Sequence, residues 1–144
     1  MFINEITQGE GLPVLERTLQ FAARRHELIA HNIANLSTPN FRPVDVSVEG
    51  FQRALGEAVE RRRTNGPSAA LELRPTREIR TDAAGNMVLR PRAAGQGVLY
   101  HDRNDRDMER SMQALAENAG AYRMAAEFIR TRYAILNAAI AQRV

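Results

Sequence analysis

The three histidines are the residues of this sequence best suited to chemistry, and their positions favour none. His26 and His31 are five residues apart in a segment with a helical pattern. A helix turns by about 100° per residue, so these two side chains diverge too far to share a zinc ion. His26 falls on an apolar stripe and is interpreted as a hydrogen-bonded interface histidine, whereas His101 lies in a polar loop and is expected to be solvated. We therefore predict no catalytic histidine and no metal site.

The segment HDRNDRDMER, residues 101–110, contains only part of a calcium-binding loop. Asp102 and Asn104 have the spacing of loop ligands, but Arg106 occupies the next ligand position and the required glycine is missing. A helix-capping turn is the simpler interpretation. The chain also has no cysteine and no zinc-protease, serine-hydrolase or phosphate-loop motif. The sequence predicts a protein that is not an enzyme and has no cofactor and no small-molecule substrate.

Arginine supplies all 20 basic residues, and the net charge of +3 is spread along the chain. Residues 1–40 hold three arginines against four acids, residues 41–107 twelve against ten, and residues 108–144 five against three. The one run of three arginines, 61–63, is preceded by two acidic residues and contains no aromatic residue. A solvated helix face explains this run better than a phosphate-binding surface, and we predict no nucleic-acid partner.

The composition is that of a folded chain. With 144 residues, 44% of them apolar and 26% charged, the chain is long enough for one domain and too apolar for a wholly disordered one. It has no run of about 18 apolar residues, so we expect no membrane-spanning helix. The first residues, MFINEITQGEG, lack a basic region followed by an apolar region, and we expect no cleavable secretory signal.

A heptad pattern in the N-terminal part predicts a long helix. Its spacings alternate between three and four residues, which keeps one narrow stripe on one side of a helix. The stripe consists of Leu12, Leu15, Leu19, Ala22, His26, Ile29, Ile33 and Leu36. Pro13 suits a first helical turn, and Pro39 disfavours helix at the residue before it. We predict a helix within residues 12–37, of about 24 residues and therefore roughly 36 Å long. Its predicted packing residues are Leu15, Leu19, Ala22, Ile29 and Ile33.

The same pattern predicts a second, longer helix in the C-terminal part. It runs without a slip through Met108, Met112, Leu115, Ala119, Tyr122, Ala126, Ile129, Tyr133, Leu136 and Ile140. The helix would span residues 108–142, roughly 52 Å, with Asp105 or Asp107 as its cap. Gly120 lies off the stripe and costs about 1 kcal/mol relative to alanine. Because alanine, methionine and tyrosine dominate the stripe, this helix needs several neighbours. Its predicted packing residues are Met112, Leu115, Ala119, Tyr122, Ile129, Tyr133, Leu136 and Ile140.

The loop-rich middle segment, residues 38–107, has mixed patterns. Valines alternate at positions 44, 46 and 48, a short helical pattern follows, and residues 64–68 should end it. Residues 77–90 resemble a β-hairpin with its turn at Asp82–Asn86, which is marginal alone, so we expect this segment to order on a partner. The predicted fold is mainly α, with the long N- and C-terminal helices pairing as an antiparallel-type coiled coil or bundle in a single domain.

One motif at the end of the first helix resembles a known family. Residues 29–41 read IAHNIANLSTPNF. The motif reads Asn-Ile-Ala-Asn, then any two residues, then Thr-Pro-x-Phe. In this chain its defined positions are Asn32, Ile33, Ala34, Asn35, Thr38, Pro39 and Phe41. It is similar to the N-terminal signature of the bacterial flagellar axial proteins, which are rod, hook and hook–filament junction subunits. The asparagine side chains can pair helical carbonyls that lack partners, and the proline ends the helix.

The C-terminal part resembles the proximal-rod members of that family, as does the overall length. The similar residues are Leu115–Ala119 with Tyr122, Arg132-Tyr133, and Leu136 with Ala139-Ile140. Two features depart from the family pattern: Gly120 stands where a leucine is usual, and residues 103–107 differ from the usual turn. These departures affect helix rigidity and the start of the helix.

The resemblance implies a rod-type structural subunit of the flagellar basal body, located in the rod of the periplasmic space and required for motility. It implies that the terminal helices pack into a tube that forms the drive shaft. The implied partners are other copies of the chain, other rod subunits, the adaptor between rod and MS ring, and the flagellar type III export apparatus. Asn32, Asn35 and Phe41 would form the junction between helix and loop.

A soluble coiled-coil adaptor or regulator is the alternative interpretation. It would form a stable dimer and bind DNA through residues 61–63 in a salt-dependent way. The rod interpretation instead predicts a largely monomeric, partly disordered free chain.

Overall fold

The structure, a computed structural model, describes residues 11–66, 69–93 and 108–141. Its helices are α1 (Leu12–Ala34), α2 (Val48–Asn65) and α3 (Met108–Ala141). Its strands are β1 (Val44–Asp45), β2 (Ile79–Thr81), β3 (Met87–Leu89) and β4 (Arg92–Ala93). Two antiparallel strand pairs form, β1 with β4 and β2 with β3. The chain is therefore mainly helical, as the sequence predicts.

Helix α1 is shorter than the sequence predicts. Pro13 lies in its first turn, as expected, but the helix ends at Ala34 and not at residue 37. Asn35 caps the last turn: its backbone N–H and its side-chain Nδ2 both donate to the carbonyl oxygen of His31, at 3.1 and 2.9 Å. The backbone N–H of Leu36 then donates to Ile33, three residues back, so the regular pattern stops here.

The two long helices pack against each other in antiparallel order. The side chain of Asn118, one third of the way along α3, donates to the carbonyl oxygen of Ala22 near the middle of α1. The end of α1 around Asn32 lies beside Ser111, and its beginning around Leu15 lies beside Ala125. The pairing of the terminal helices is confirmed, and coiled-coil packing in detail stays a prediction.

A second face of α1 packs against the middle segment. Phe21 stacks on Phe51 of α2, with ring centroids 4.0 Å apart and planes inclined by 3°. The Ser47 side chain caps α2 by accepting from the Gly50 N–H at 2.9 Å. The buried core here comprises Val14, Phe21, Val46, Phe51, Ala54, Leu55, Ala58, Val59, Leu71, Leu73, Ile79 and Met87. The sequence predicts that the middle segment orders on a partner. In the structure, its described part instead packs on α1 of the same chain, because leucines and valines in its irregular stretches contact α1 and α2.

The hairpin β2–β3 is confirmed with its turn at Asp82–Asn86. The Asp82 carboxylate accepts backbone N–H groups from Ala84 and Asn86, and the bond from Asn86 is the main cause that lowers the pKa of Asp82. Gly85 has φ of 84°, which suits glycine. The guanidinium of Arg17 donates to the Gly85 carbonyl at 2.9 Å, so the hairpin tip is tied to α1.

Candidate functional site: the helix-to-loop junction and the helix-pairing face

The side chain of Asn32 joins the end of α1 to the returning chain. It is 6% exposed. Its Nδ2 donates to the Val44 carbonyl oxygen at 2.7 Å, and its Oδ1 accepts from the Val44 N–H at 3.1 Å. The amide of Asn32 thus pairs with both backbone polar groups of the first residue of β1, as a neighbouring strand would. This fixes the distance between α1 and the middle segment.

The residues after Asn32 form a compact turn. The Thr38 N–H donates to the Asn35 carbonyl at 2.9 Å, and the Phe41 N–H donates to the Thr38 carbonyl at 3.2 Å. Asn40 has φ of 61°, a left-handed conformation that asparagine tolerates better than most residues. The Phe41 ring packs edge-on against His31, with centroids 5.7 Å apart.

The structure therefore brings the family-motif residues together at one place. Asn32 is buried, and Ile33, Asn35 and Phe41 are half-buried. Ala34, Thr38 and Pro39 are exposed in the single chain. The arrangement is one of hydrogen bonding and packing, and the role assigned to Asn32, Asn35 and Phe41 in joining helix and loop remains our proposal.

Exchanging Asn32 for aspartate is expected to lower the free energy of unfolding by about 2 kcal/mol. The variant keeps the shape but loses the Nδ2 donor, and it places a carboxylate oxygen against the Val44 carbonyl. Urea unfolding of the purified chain, followed by far-UV circular dichroism, measures the loss. Asn137→Asp, the same change at an exposed position of α3, is the control and should have little effect. Equal effects of the two variants would show that the Asn32 contacts carry no stability.

An ion pair beside this junction was not predicted from the sequence. The Arg25 guanidinium donates from Nε to Asp45 Oδ1 at 2.9 Å and from Nη2 to Asp45 Oδ2 at 2.6 Å. The arginine side chain is 10% exposed and the aspartate side chain 27%. Oδ1 of Asp45 also accepts from the Val46 N–H at 2.8 Å. This two-bond pairing orients β1 against α1 at a point two turns before Asn32.

A weak sequence signal for this second face did exist. Val14, Phe21 and Leu28 repeat every seven residues on α1, and Arg25 lies four residues after Phe21 on the same side. The sequence therefore carried a second apolar stripe beside the predicted one, and a charge within it points to a buried partner.

Asp45→Ala is expected to destabilise the chain by about 2 kcal/mol, because it leaves the Arg25 guanidinium buried without a partner charge. The partial exposure of Asp45 keeps the loss below that of a fully buried pair. The double variant Arg25→Met, Asp45→Ala removes the unpaired charge and should recover at least half of the loss in the same urea experiment. A double variant that is less stable than Asp45→Ala would contradict this reasoning.

The helix-pairing face of α3 is rotated from the predicted one. Its two fully buried residues are Asn118 and Ala125, at 4% and 3% exposure. The predicted stripe used Ala119 and Ala126 at the corresponding positions, and both are half-buried. In one of the two sets of heptad positions, the buried residue comes one residue earlier than predicted, whereas the other set is unchanged. Averaged over both sets, α3 is rotated about its own axis by roughly 50°. On this face Asn118 donates from its Nδ2 to the Ala22 carbonyl oxygen at 2.8 Å.

The predicted packing residues of α1 lie mostly inside. Leu15, Ala22 and Ile29 are buried, and Leu19 and Ile33 are half-buried. His26 is exposed, so it is not the buried interface histidine that the stripe suggested. The neighbouring Arg25 is buried instead, and His26 lies at the edge of the helix pair.

The predicted packing residues of α3 divide into two groups. Leu115, Ala119 and Ile129 are half-buried. The exposed group has exposed fractions of 42% to 68% in the single chain: Met112, Tyr122, Tyr133, Leu136 and Ile140. The α1 pairing does not cover this second group, and its role in packing remains a proposal about assembly.

Helix α3 also extends past its partner. With Ala22 opposite Asn118 and equal rise in both helices, Leu12 lies opposite about residue 128. The part of α3 from Ile129 to Ala141 therefore continues beyond the first residue of α1. We call residues 129–141 the α3 extension.

The other sequence motifs acquire no site in the described part of the chain. Arg61 donates to the Glu72 carbonyl and lies 3.9 Å from Glu57, and Arg63 pairs with Glu60 at 3.1 Å, as on a solvated helix face.

Among the described residues, no group of three or more histidine, aspartate or glutamate side chains could hold a metal ion. His101 and the partial calcium motif, like the two candidate capping aspartates, lie outside the described residues. No described helix is long and apolar enough to cross a membrane.

These features define a protein of paired terminal helices, whose polar side chains cap helices and join backbone segments. The chain is 30% identical over 109 residues to the flagellar basal body rod protein FlgB of Yersinia ruckeri. The match covers 74% of this chain and 76% of the relative. FlgB of Yersinia enterocolitica matches with the same identity and coverage. No protein-family profile matches the chain. The chain belongs to the FlgB family of flagellar basal body rod proteins.

Proposed function

We propose that the chain is a structural subunit of the proximal rod of the flagellar basal body. It polymerises through its terminal helices into the drive shaft that crosses the periplasm, and motility requires it. Membership of the FlgB family supports a structural role in the flagellar rod in general. The finer statements are our inference from the surface of α3.

The single observation that carries the proposal is the exposure of apolar side chains on α3. Among the described residues, the large apolar side chains that are more than 40% exposed lie on α3, with the exception of Val88. The residues of this set on α3 are Met108, Met112, Tyr122, Met124, Phe128, Tyr133, Ile135, Leu136 and Ile140. A helix with apolar side chains on several sides needs several neighbours. The α1 pairing provides one of them, and assembly with other subunits provides the rest.

The mechanism is assembly. Within a subunit, α1 and α3 pair through Ala22, Asn118 and Ala125. Between subunits, the uncovered side of α3 contacts a different surface of the next copy, and such a contact repeats into a helical tube when it does not close. The partners in this proposal are other copies, other rod subunits, the rod–MS-ring adaptor and the flagellar type III export apparatus, through which the chain is exported.

Deletion of the gene tests this function in the native bacterium. We expect cells without the chain to lack rods, hooks and filaments and to form no swimming halo in soft agar. A plasmid copy of the gene should restore the flagellar structures and the swimming halo, and this complementation is the control. Deletion cells that keep complete flagella and swim normally would contradict the proposal.

A further inference from the structure

An open apolar trough lies beside the helix pair. Side chains of α1 form its floor, α2 one wall and α3 the other, and it encloses about 520 Å³. Phe21 and Val14 line the floor, Val48 and Leu55 one wall, and Phe128 the other. Met124, also in the α3 wall, is 62% exposed. The trough thus offers the apolar surface that a helix from outside could cover.

The α3 extension has the matching character. Ile135, Leu136 and Ile140 are 55%, 53% and 68% exposed. These residues lie within one unbroken helix that also contains Met124 and Phe128. The extension therefore cannot enter the trough of its own chain, because it points away along the same axis.

We propose that the α3 extension of one copy docks in the trough of the next copy. This proposal rests on the proposed function, since it names the surfaces through which the subunits polymerise. The donor and the acceptor are different surfaces of the same chain, so each added copy presents a new donor and a new acceptor. Growth is then open-ended.

The charges of the two surfaces favour this occupant over an acidic partner. The extension carries Arg130 and Arg132 and no acidic residue. Arg130 lies 3.4 Å from Glu127 in the preceding turn, so Arg132 carries the net positive charge of the extension. The charged side chains that line the trough are Arg25 and Glu117. The charge of Arg25 is balanced by Asp45 at 2.6 Å, so Glu117 leaves the trough negative. A positive helix end meets a negative trough.

Site-directed cross-linking tests the contact, and the natural chain has no cysteine that would interfere. Met124→Cys and Leu136→Cys chains are expressed together in cells that lack the natural gene. A short bis-maleimide is added to whole cells before basal bodies are purified. We expect a cross-linked dimer from the mixture and none from either variant alone. A chain that carries both substitutions should give a ladder of dimers, trimers and longer products.

Two further pairs keep the test decisive. Ala30→Cys with Leu136→Cys is the control and should give no product, because Ala30 is exposed on α1 outside the trough. Gln52→Cys with Asn137→Cys repeats the test at exposed polar positions, in case the apolar substitutions prevent incorporation. Basal bodies that contain both chains of this second pair without a mixed product would overturn the trough proposal and leave the rod function standing.

Other outcomes separate the two proposals. Self-cross-linking of the Leu136→Cys chain would show a symmetric contact between α3 extensions and would also overturn the trough proposal. A mixed product in the soluble fraction, with no chain in the basal bodies, would support the trough contact and overturn the rod function.

Discussion

Replacing Phe51 by alanine is expected to lower the free energy of unfolding by about 4 kcal/mol. Phe51 is 3% exposed and stacks on Phe21 with 4.0 Å between ring centroids. It is the contact through which α2 is held on α1, so the substitution removes both the buried area and the aromatic pair. Urea unfolding of the purified chain, followed by circular dichroism at 222 nm, measures the loss as a lower transition midpoint at unchanged slope.

Two variants calibrate this result. Phe51→Leu keeps most of the buried volume and should cost clearly less than Phe51→Ala. Arg53→Ala changes an exposed neighbour on the same helix and should shift the free energy by no more than about 0.5 kcal/mol. If Phe51→Ala is no more destabilising than Arg53→Ala, the middle segment does not pack on α1 in the free chain.

Ile129→Asp is expected to abolish incorporation into the rod and, with it, swimming. Ile129 is half-buried and lies on the same stripe of α3 as Asn118 and Ala125, at spacings of eleven and four residues. Ile129 belongs to the α3 extension, so a carboxylate there would lose its water without gaining a partner when a neighbouring subunit packs on this stripe. Immunoblots of purified basal bodies and halo diameters in soft agar measure the effect.

Ala116→Asp is the matched control for this variant. It introduces the same charge on α3 at an exposed position outside the extension and the trough, on the side of the helix away from Asn118 and Ala125. We expect its incorporation and swimming to be normal. Normal swimming of the Ile129→Asp strain would refute the assignment of this stripe to contacts between subunits.

The sequence was informative for α1 because large apolar residues repeat on one side of that helix at spacings of three and four residues. Leu15, Ala22 and Ile29 are buried where the heptad pattern placed the packing face. It was less informative for α3, whose alanines occur on all sides of the helix. Periodicity cannot select one face of such a helix, and the face that packs on α1 carries the buried Asn118, whose hydrogen bond to Ala22 has no periodic pattern.

The junction was only partly predictable. The motif around Asn32 and Asn35 indicated a special helix end, but the hydrogen bonds to Val44 depend on how the chain returns to α1. The Arg25–Asp45 pair joins residues twenty positions apart, and charged residues are ordinarily expected on the surface. Contacts of this kind follow from tertiary packing and have no local pattern.

The central claim, that the chain is a subunit of the flagellar rod, is tested most directly by mass spectrometry of purified hook–basal bodies from the native bacterium. We expect the chain to be present there at a few copies per basal body. The soluble fraction of the same cells is the comparison. Finding the chain only in that fraction, in cells with complete flagella, would refute the rod function and favour the adaptor interpretation.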